Sequence, residues 1–233
     1  LFTQEEIQQI DQASLPDALS MVINQFPETT VFSSSLGQED QVLTDVIVKQ
    51  QLPVRIFTLD TGRLFNETYE LLERTNARYK INIQVYFPEA ADVEKYVNTK
   101  GVNAFYESVE NRKECCYIRK VKPLNRALKG ADIWITGLRS EQSDNRKDMS
   151  ILEWDETRNL YKFNPLIHRS YQQMLDYIKE HNVPYNPLHD KGYISIGCAP
   201  CTRAVGPGED HRSGRWWWET SQKECGLHNR SNA

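Results

Sequence analysis

The chain has 233 residues, 39% of them apolar and 26% charged, with a formal net charge of −4. That length suits one α/β domain with a sizeable core and an appended tail. The acidic balance argues against a general nucleic-acid binder, and no apolar run is long enough to span a bilayer. The first residues carry no basic-then-apolar signal sequence. The expected compartment is therefore the reducing cytoplasm, where cysteines are more often ligands or nucleophiles than structural disulfides.

Residues 3–13 and 14–26 read as two helices, the second opened by a Ser14 cap with Pro16 close behind. Thr30-Val31-Phe32 is a short β-rich run, followed by Ser33-Ser34-Ser35-Leu36-Gly37. Residues 40–51 have helical spacing, 54–59 form a second buried strand, and Asp60-Thr61-Gly62 follows. Residues 66–80 are helical, 82–87 alternate like a strand, and 133–136 form another strand, ending at Gly137. Strands alternating with helices predict βαβ units and a doubly wound, mostly parallel sheet. Ligands of such sheets bind beyond the carboxyl ends of the strands. Three loops lie there: 33–37, 60–62 and 137–146. From Pro184 onward prolines and glycines accumulate, predicting an irregular C-terminal segment, 184–233, after an α/β domain, 1–183.

The serine loop offers backbone N–H groups, hydroxyls and a helix N-terminus to a phosphate, although it lacks the Gly-Lys-Ser/Thr ending of a P-loop. The plainer alternative is a serine-rich turn that caps a helix. The loop after Gly137 carries Arg139 and Arg146, which suit a lid over an anion unless the loop is simply solvated.

Five cysteines carry more weight: the adjacent pair Cys115-Cys116, the pair Cys198-x-x-Cys201, and Cys225 alone. A Cys-x-x-Cys pair can be a redox disulfide, half a zinc site or half an iron–sulfur site. No thioredoxin-like setting supports the first. Neighbouring side chains on a helix diverge by roughly 100°, which is awkward for one zinc ion and acceptable to a cluster with several metal corners. An iron–sulfur cluster on Cys115, Cys116, Cys198 and Cys201 is favoured over zinc. If one helix runs through Leu128, Lys120 lies a turn after Cys116, where it offsets the charge of four thiolates. Arg212 and Arg215 are candidate anion clamps, and the tryptophans at 216–218 read as packing. Cys225, with Lys223 and His228 nearby, reads as a nucleophile rather than an incidental thiol.

These residues together resemble the assimilatory adenylyl-sulfate (adenosine 5′-phosphosulfate, APS) reductases. The resemblance spans residues 30–228. It rests on the serine loop running into Gln38-Glu39-Asp40, on Leu59-Asp60-Thr61-Gly62-Arg63-Leu64 with Glu67-Thr68, and on Cys115-Cys116 with Lys120. It continues through the arginine loop, Cys198-x-x-Cys201, Arg212-x-x-Arg215-Trp216 and Lys223-Glu224-Cys225-Gly226-x-His228. Ser140 departs from the pattern, standing where many relatives have arginine or threonine.

The resemblance implies a fold like that of the adenine-nucleotide α-hydrolases and a [4Fe–4S] cluster on the four paired cysteines. It implies reduction of APS to sulfite and AMP in sulfate assimilation and cysteine biosynthesis, through an S-sulfocysteine on Cys225 resolved by thioredoxin or a glutaredoxin-like protein. Lys120, Arg146, Arg212, Arg215 and His228 would neutralise the phosphosulfate, with Arg139 beside them. Ser33, Ser34, Ser35, Leu59, Thr61 and Gly137 would hold the nucleotide. Neither nucleic acid nor membrane is an expected partner, and a homo-oligomer is left open. The rival readings are a reductase of the 3′-phosphorylated nucleotide (PAPS) and a non-catalytic, metal-containing nucleotide sensor.

Overall fold

The computed structural model describes residues 2–142, 146, 148–206, 208–210, 212–219 and 226–227. Two amphipathic helices open the chain. α1 (Gln4–Gln12) begins with a Thr3/Glu6 capping box, and α2 (Leu15–Ile23) with Ser14 accepting from the Asp17 amide. β1 (Thr30–Ser33), α3 (Gln38–Lys49), β2 (Arg55–Leu59), α4 (Asn66–Tyr79) and β3 (Gln84–Tyr86) then form successive βα units. α5 (Ala90–Lys100) and α6 (Val109–Cys116) follow. α6 runs without a break through five π-helical residues, Tyr117–Val121, into α7 (Lys122–Ala127). The chain continues through β4 (Ile133–Ile135), β5 (Leu152–Asp155), β6 (Leu160–Phe163) and α8 (Tyr171–His181).

The sheet order is β3-β2-β1-β4-β6-β5, with every neighbouring pair parallel except β5 and β6. Val31, Phe57 and Trp134 point to one face, against Leu124, Ala127 and Leu128. Phe32, Ile56, Ile133 and Ile135 point to the other, where buried residues of α1, α2, α3 and α8 meet them. Both faces are covered, as a parallel sheet requires. The order reverses between β1 and β4, so the crevice of this doubly wound sheet opens at the Ser33 and Gly137 loops.

Three features differ from the sequence reading. α3 starts at Gln38, earlier than predicted, because Gly37 serves as its N-cap and Glu39 and Asp40 occupy the first turn, where carboxylates suit the helix dipole. The π-helical residues shift the register between Cys116 and Lys120, so the two are not stacked as on an unbroken α-helix. The antiparallel hairpin β5–β6 is additional. Trp154 packs on Tyr161 at 4.9 Å, and Asn159 takes the left-handed turn position at φ 53°. Beyond α8 the described residues hold only two short 3₁₀ stretches, Pro187–Lys191 and Ala199–Cys201, and one isolated bridge, Thr202 to Arg215. No helix among the described residues is long and apolar enough to cross a membrane.

One buried cation sits inside the sheet. Lys162 on β6 is 6% exposed, paired across the ladder with Trp134 and Glu153, with its Nζ 5.7 Å from the Trp134 ring centre. Burial pushes its ammonium down to about 8, and Arg146 and Arg158 act in the same direction, against Glu153 and Asp155. Between pH 8 and 10.5 the unfolded chain holds a proton that the folded one has released, so stability gains with rising pH there. Lys162→Met should be the more stable form below pH 8. The difference should shrink by at most about 1.4 kcal/mol per pH unit, the one-proton limit, as pH passes through that window. Urea melts of both proteins at pH 7 and 10 check this; a difference independent of pH contradicts it.

Candidate functional site

A cleft of about 270 Å³ opens at the carboxyl ends of β1, β2 and β4. Its walls include Ser33, Ser34, Ser35, Leu59, Thr61, Gly137, Arg139 and Arg146 from the sheet domain, Lys120 from the π-helical residues, and Arg212 and Arg215 from the C-terminal segment. These residues are far apart in sequence and meet because the strand order reverses here.

At one end Trp134 Nε1 donates to Ser33 Oγ at 2.7 Å, leaving the hydroxyl proton to be given elsewhere. The serine loop itself differs from the sequence reading. Ser34 N donates to Phe57 O (2.8 Å), Ser35 N to Asp40 Oδ2 (2.6 Å), Leu36 N to Ser34 Oγ (3.2 Å) and Gly37 N to Ser35 Oγ (3.4 Å). Ser35 Oγ also donates to Asp40 at 2.6 Å. The sequence reading offered these amides to a phosphate; in the structure they have acceptors within the chain, Asp40 among them. Asp40 is 6% exposed; burial raises its carboxyl to about 7, the two Ser35 bonds working against that rise. Gly137 is required beside it, since a Cβ there would collide with the Asp40 carboxylate.

The same walls carry several cations. Arg139 donates from Nε to Glu39 and from Nη1 to Glu141, each at 2.9 Å, and stacks on Tyr171. Gln142 donates to the same Glu39 oxygen and accepts from Arg146. Arg139 is therefore tied to α3 and to its own loop through two carboxylates. Arg215 is held by stacking on Trp216 at 4.6 Å and by Ser195, and Gly197 leaves room for its guanidinium. Its Nε is buried without a hydrogen-bond partner among the described residues. Leu227 also lines the cleft. Cys225 and His228, read from the sequence as nucleophile and cation, lie outside the described residues.

A second, small cavity adjoins the first. Cys115, Cys116, Cys198 and Cys201 line it with Arg63, Arg112, Arg119 and Lys120. Three of the thiols are buried and Cys115 is half-buried; all four are free of disulfides. The two segments are pinned together locally. Thr61 Oγ1 lies 3.2 Å from Cys198 Sγ, Ala199 N donates to Arg63 O, and Arg119 Nη1 donates to Thr61 O at 2.6 Å. Burial raises Cys115, and drives Cys201 to about 12 with help from Cys198. Burial pushes Cys198 upward too, but Lys120, Thr61, Arg215 and Arg119 bring it below an ordinary thiol. Lys120 belongs to the walls of both cavities.

No group of three or more His, Cys, Asp or Glu among the described residues is arranged to hold a single metal ion. A polynuclear cluster asks for something different, one thiolate for each of several corners. Four converging thiols, cations around them, and the partnerless buried indole N–H groups of Trp216 and Trp218 suit such a group.

The C-terminal segment is held here by a buried fork. Arg112 Nε and Nη2 donate to the two oxygens of Glu219 at 2.9 and 2.8 Å, with side chains 0% and 3% exposed, and Arg112 also stacks on Trp216. The sequence reading missed both ends of this fork, along with Trp134, Tyr171 and His189 in the cleft. Glu219→Gln should lower folding stability by about 3–5 kcal/mol, because it leaves a buried guanidinium unbalanced. Urea denaturation measures this; an unchanged midpoint shows that the fork does not hold the segment.

Residues 29–204 match the family model described as the phosphoadenosine phosphosulfate reductase domain. A protein named adenosine 5′-phosphosulfate reductase from Allochromatium vinosum is 50% identical over 223 residues, 95% of this chain and 87% of that one. One of the same name from Agrobacterium fabrum is 52% identical over 199 residues, 85% of this chain and 76% of that one. Among solved structures, a phosphoadenylyl-sulfate (PAPS) reductase from Candida auris in a phosphate complex superposes with a TM-score of 0.73. It is 28% identical, over 88% of this chain and 98% of that one. Yeast FAD synthetase shares the fold at a TM-score of 0.57 and 15% identity, over 88% of this chain and 70% of that one.

Proposed function

Because the chain belongs to the phosphoadenosine phosphosulfate reductase domain family, among its adenosine 5′-phosphosulfate reductases, we propose that it reduces adenylyl sulfate to sulfite and AMP for sulfate assimilation in the cytoplasm, with electrons from thioredoxin or a glutaredoxin-like dithiol. The observation that carries this reading is the cleft itself, whose walls combine Ser33, Leu59 and Trp134 with the cations Lys120, Arg146, Arg212 and Arg215.

In the proposed reaction the Cys225 thiolate attacks the sulfur of the substrate. An S–S bond forms, the bridging S–O bond breaks, and AMP leaves with the electron pair. The sulfonate stays on Cys225 as S-sulfocysteine. One thiolate of the dithiol protein attacks Cys225 Sγ and expels sulfite. The second thiol resolves the mixed disulfide, so the two electrons come from the dithiol. Support for Cys225 comes from Leu227, two residues away in the chain and part of the cleft wall; His228 is the next residue after it. Lys120, Arg146, Arg212 and Arg215, with His228, would stabilise the negative charge gathering on the departing phosphate. Leu59, Thr61 and Gly137 would position the nucleotide.

We assign Cys115, Cys116, Cys198 and Cys201 as ligands of a [4Fe–4S] cluster. A bound cluster would supply a compact, thiolate-rich charge, which Lys120, in the wall of both cavities, would help to balance.

Two experiments test the reading. Protein purified without oxygen should contain about four irons and four acid-labile sulfides per chain. Without thioredoxin it should release at most about one AMP per chain, leaving a thiol-removable sulfonate on the Cys225 peptide. Cys225→Ser should keep iron and nucleotide binding yet form no adduct. Stoichiometric zinc without sulfide, or sulfite production by that variant, would falsify the corresponding assignment.

The second concerns the nucleotide. The Asp40 carboxylate and the satisfied loop amides leave no counter-charge for a 3′-phosphate at the serine loop. APS should therefore exceed PAPS in kcat/KM, and Asp40→Asn should narrow that ratio by at least about tenfold, since a like-charge contact near 4 Å at intermediate dielectric exceeds 1.4 kcal/mol. Equal values for the two nucleotides in the wild type would sink the preference and leave the reaction class standing.

A further inference from the structure

The four paired cysteines come from two elements that are far apart in the chain. Cys115 and Cys116 end α6, while Cys198 caps and Cys201 ends the 3₁₀ turn Ala199–Cys201. A group that uses all four needs these two elements held at one separation. The C-terminal segment is bonded to the second of them. Trp216 N donates to Cys201 O at 3.2 Å, and Arg203 N to Gly214 O at 2.9 Å. Trp216 takes the left-handed conformation, φ 42°, which is strained for a residue with a side chain and persists where its surroundings enforce it.

Arg112 reaches the segment from the first element. It lies one turn before Cys116 on the same face of α6, is fully buried, and lines the small cavity with the four cysteines. Its guanidinium has three engagements: it stacks on the Trp216 ring at 4.7 Å, forks onto both oxygens of Glu219, and bonds the Cys116 side chain. Glu219 N in turn donates to Trp216 O at 2.9 Å. A continuous path of contacts thus runs from Cys116 through Arg112, Glu219 and Trp216 to Cys201. The Glu219 side chain is 3% exposed, so water competes little for the fork.

We propose that Arg112 and Glu219 are positioning residues for the cluster, a clasp that holds the Cys115–Cys116 and Cys198–Cys201 pairs at the separation one shared group requires. This rests on the [4Fe–4S] assignment above. It gives the fork a role beyond fixing the segment, because opening it frees one ligand pair to move away from the other. A planar guanidinium can serve a carboxylate and a sulfur at once, which a lysine ammonium cannot do with the same geometry.

The test measures the loss of iron to a chelator from anaerobically purified full-length protein. Iron escapes when the cavity opens locally, and its rate follows that opening while reclosing is fast. Glu219→Gln and Arg112→Lys should each release iron at least about fivefold faster than wild type, the low end of ordinary coupling between sites. The double variant should stay within about twofold of the faster single, since either change opens the same clasp. Leu19→Ala destabilises a core separate from the cysteine cluster and should stay within about twofold of wild type. Circular dichroism checks that each variant is folded. A folded clasp variant isolated without iron, beside a loaded Leu19→Ala, is the extreme of the expected result. Unchanged release in Glu219→Gln overturns the clasp, as does equal acceleration in Leu19→Ala or a double variant that multiplies the two single effects. Wild-type protein that lacks acid-labile sulfide would overturn the cluster assignment itself, and this proposal with it.

Discussion

Four cysteines gathered in one small cavity can become thiolates together only if positive charge surrounds them, and this constraint shapes the region around them. Arg112, Arg119 and Lys120 on one helical run and Arg215 on the C-terminal segment surround them. Three of these are fixed by something else. Arg112 is fixed by the Glu219 fork, Arg119 by the Thr61 carbonyl, and Arg215 by the Trp216 ring and Ser195. Trp216 is shared, stacked by Arg112 at 4.7 Å and Arg215 at 4.6 Å, and buried among the cysteines. Guanidinium suits this role because it remains charged when buried and stacks on an indole face. Of these cations, Lys120 and Arg215 also line the cleft, so the charge around the cysteines reaches the neighbouring site.

The serine loop shows the opposite economy of charge. A loop between a strand and a helix N-terminus is an anion site by default. Here the default is cancelled from within, because Asp40 takes both Ser35 donors and neighbouring side chains take the amides that follow. The fold is shared with FAD synthetase, while the amides of this loop have acceptors within the chain. The arginines and lysine of the cleft come from other elements.

Much of the fold was legible because parallel strands buried on both faces leave short apolar runs, and those at 30–32, 54–59 and 133–136 were visible as such. β5 and β6 were legible in principle. Leu152-Glu153-Trp154-Asp155 and Leu160-Tyr161-Lys162-Phe163 flank a turn, but a lysine buried at 162 blurs the alternation. α5 buries little beyond Tyr96, so its apolar stripe is faint. α8 does carry a capping box, Ser170 with Gln173, which marks its start. At the site, residues that carry chemistry by type stood out: cysteines in pairs, arginines in a loop. Residues defined by a partner far away in sequence did not. The 107-residue separation of Arg112 and Glu219 leaves no local pattern, and the bond from Trp134 to Ser33 spans 101.

The groups that the fold leaves poorly satisfied lie where a ligand or a charge has to be accommodated. Lys162 is held under Trp134 with its charge penalised, Arg215 Nε and both His189 nitrogens lack hydrogen-bond partners among the described residues, and Asp40 is buried with its carboxyl raised. Other buried polar groups are paired: Thr136 donates to Asn164, and Asp45 accepts from Tyr79 and Tyr177, whereas Gln41 donates to Thr75 and Pro184 but keeps Oε1 without a partner among the described residues. A protein of marginal stability cannot leave many such groups unpaired, since each costs a noticeable part of the total. Asp40, His189 and Arg215 lie in the wall of one cleft, a placement that draws attention to that cleft without recourse to a motif.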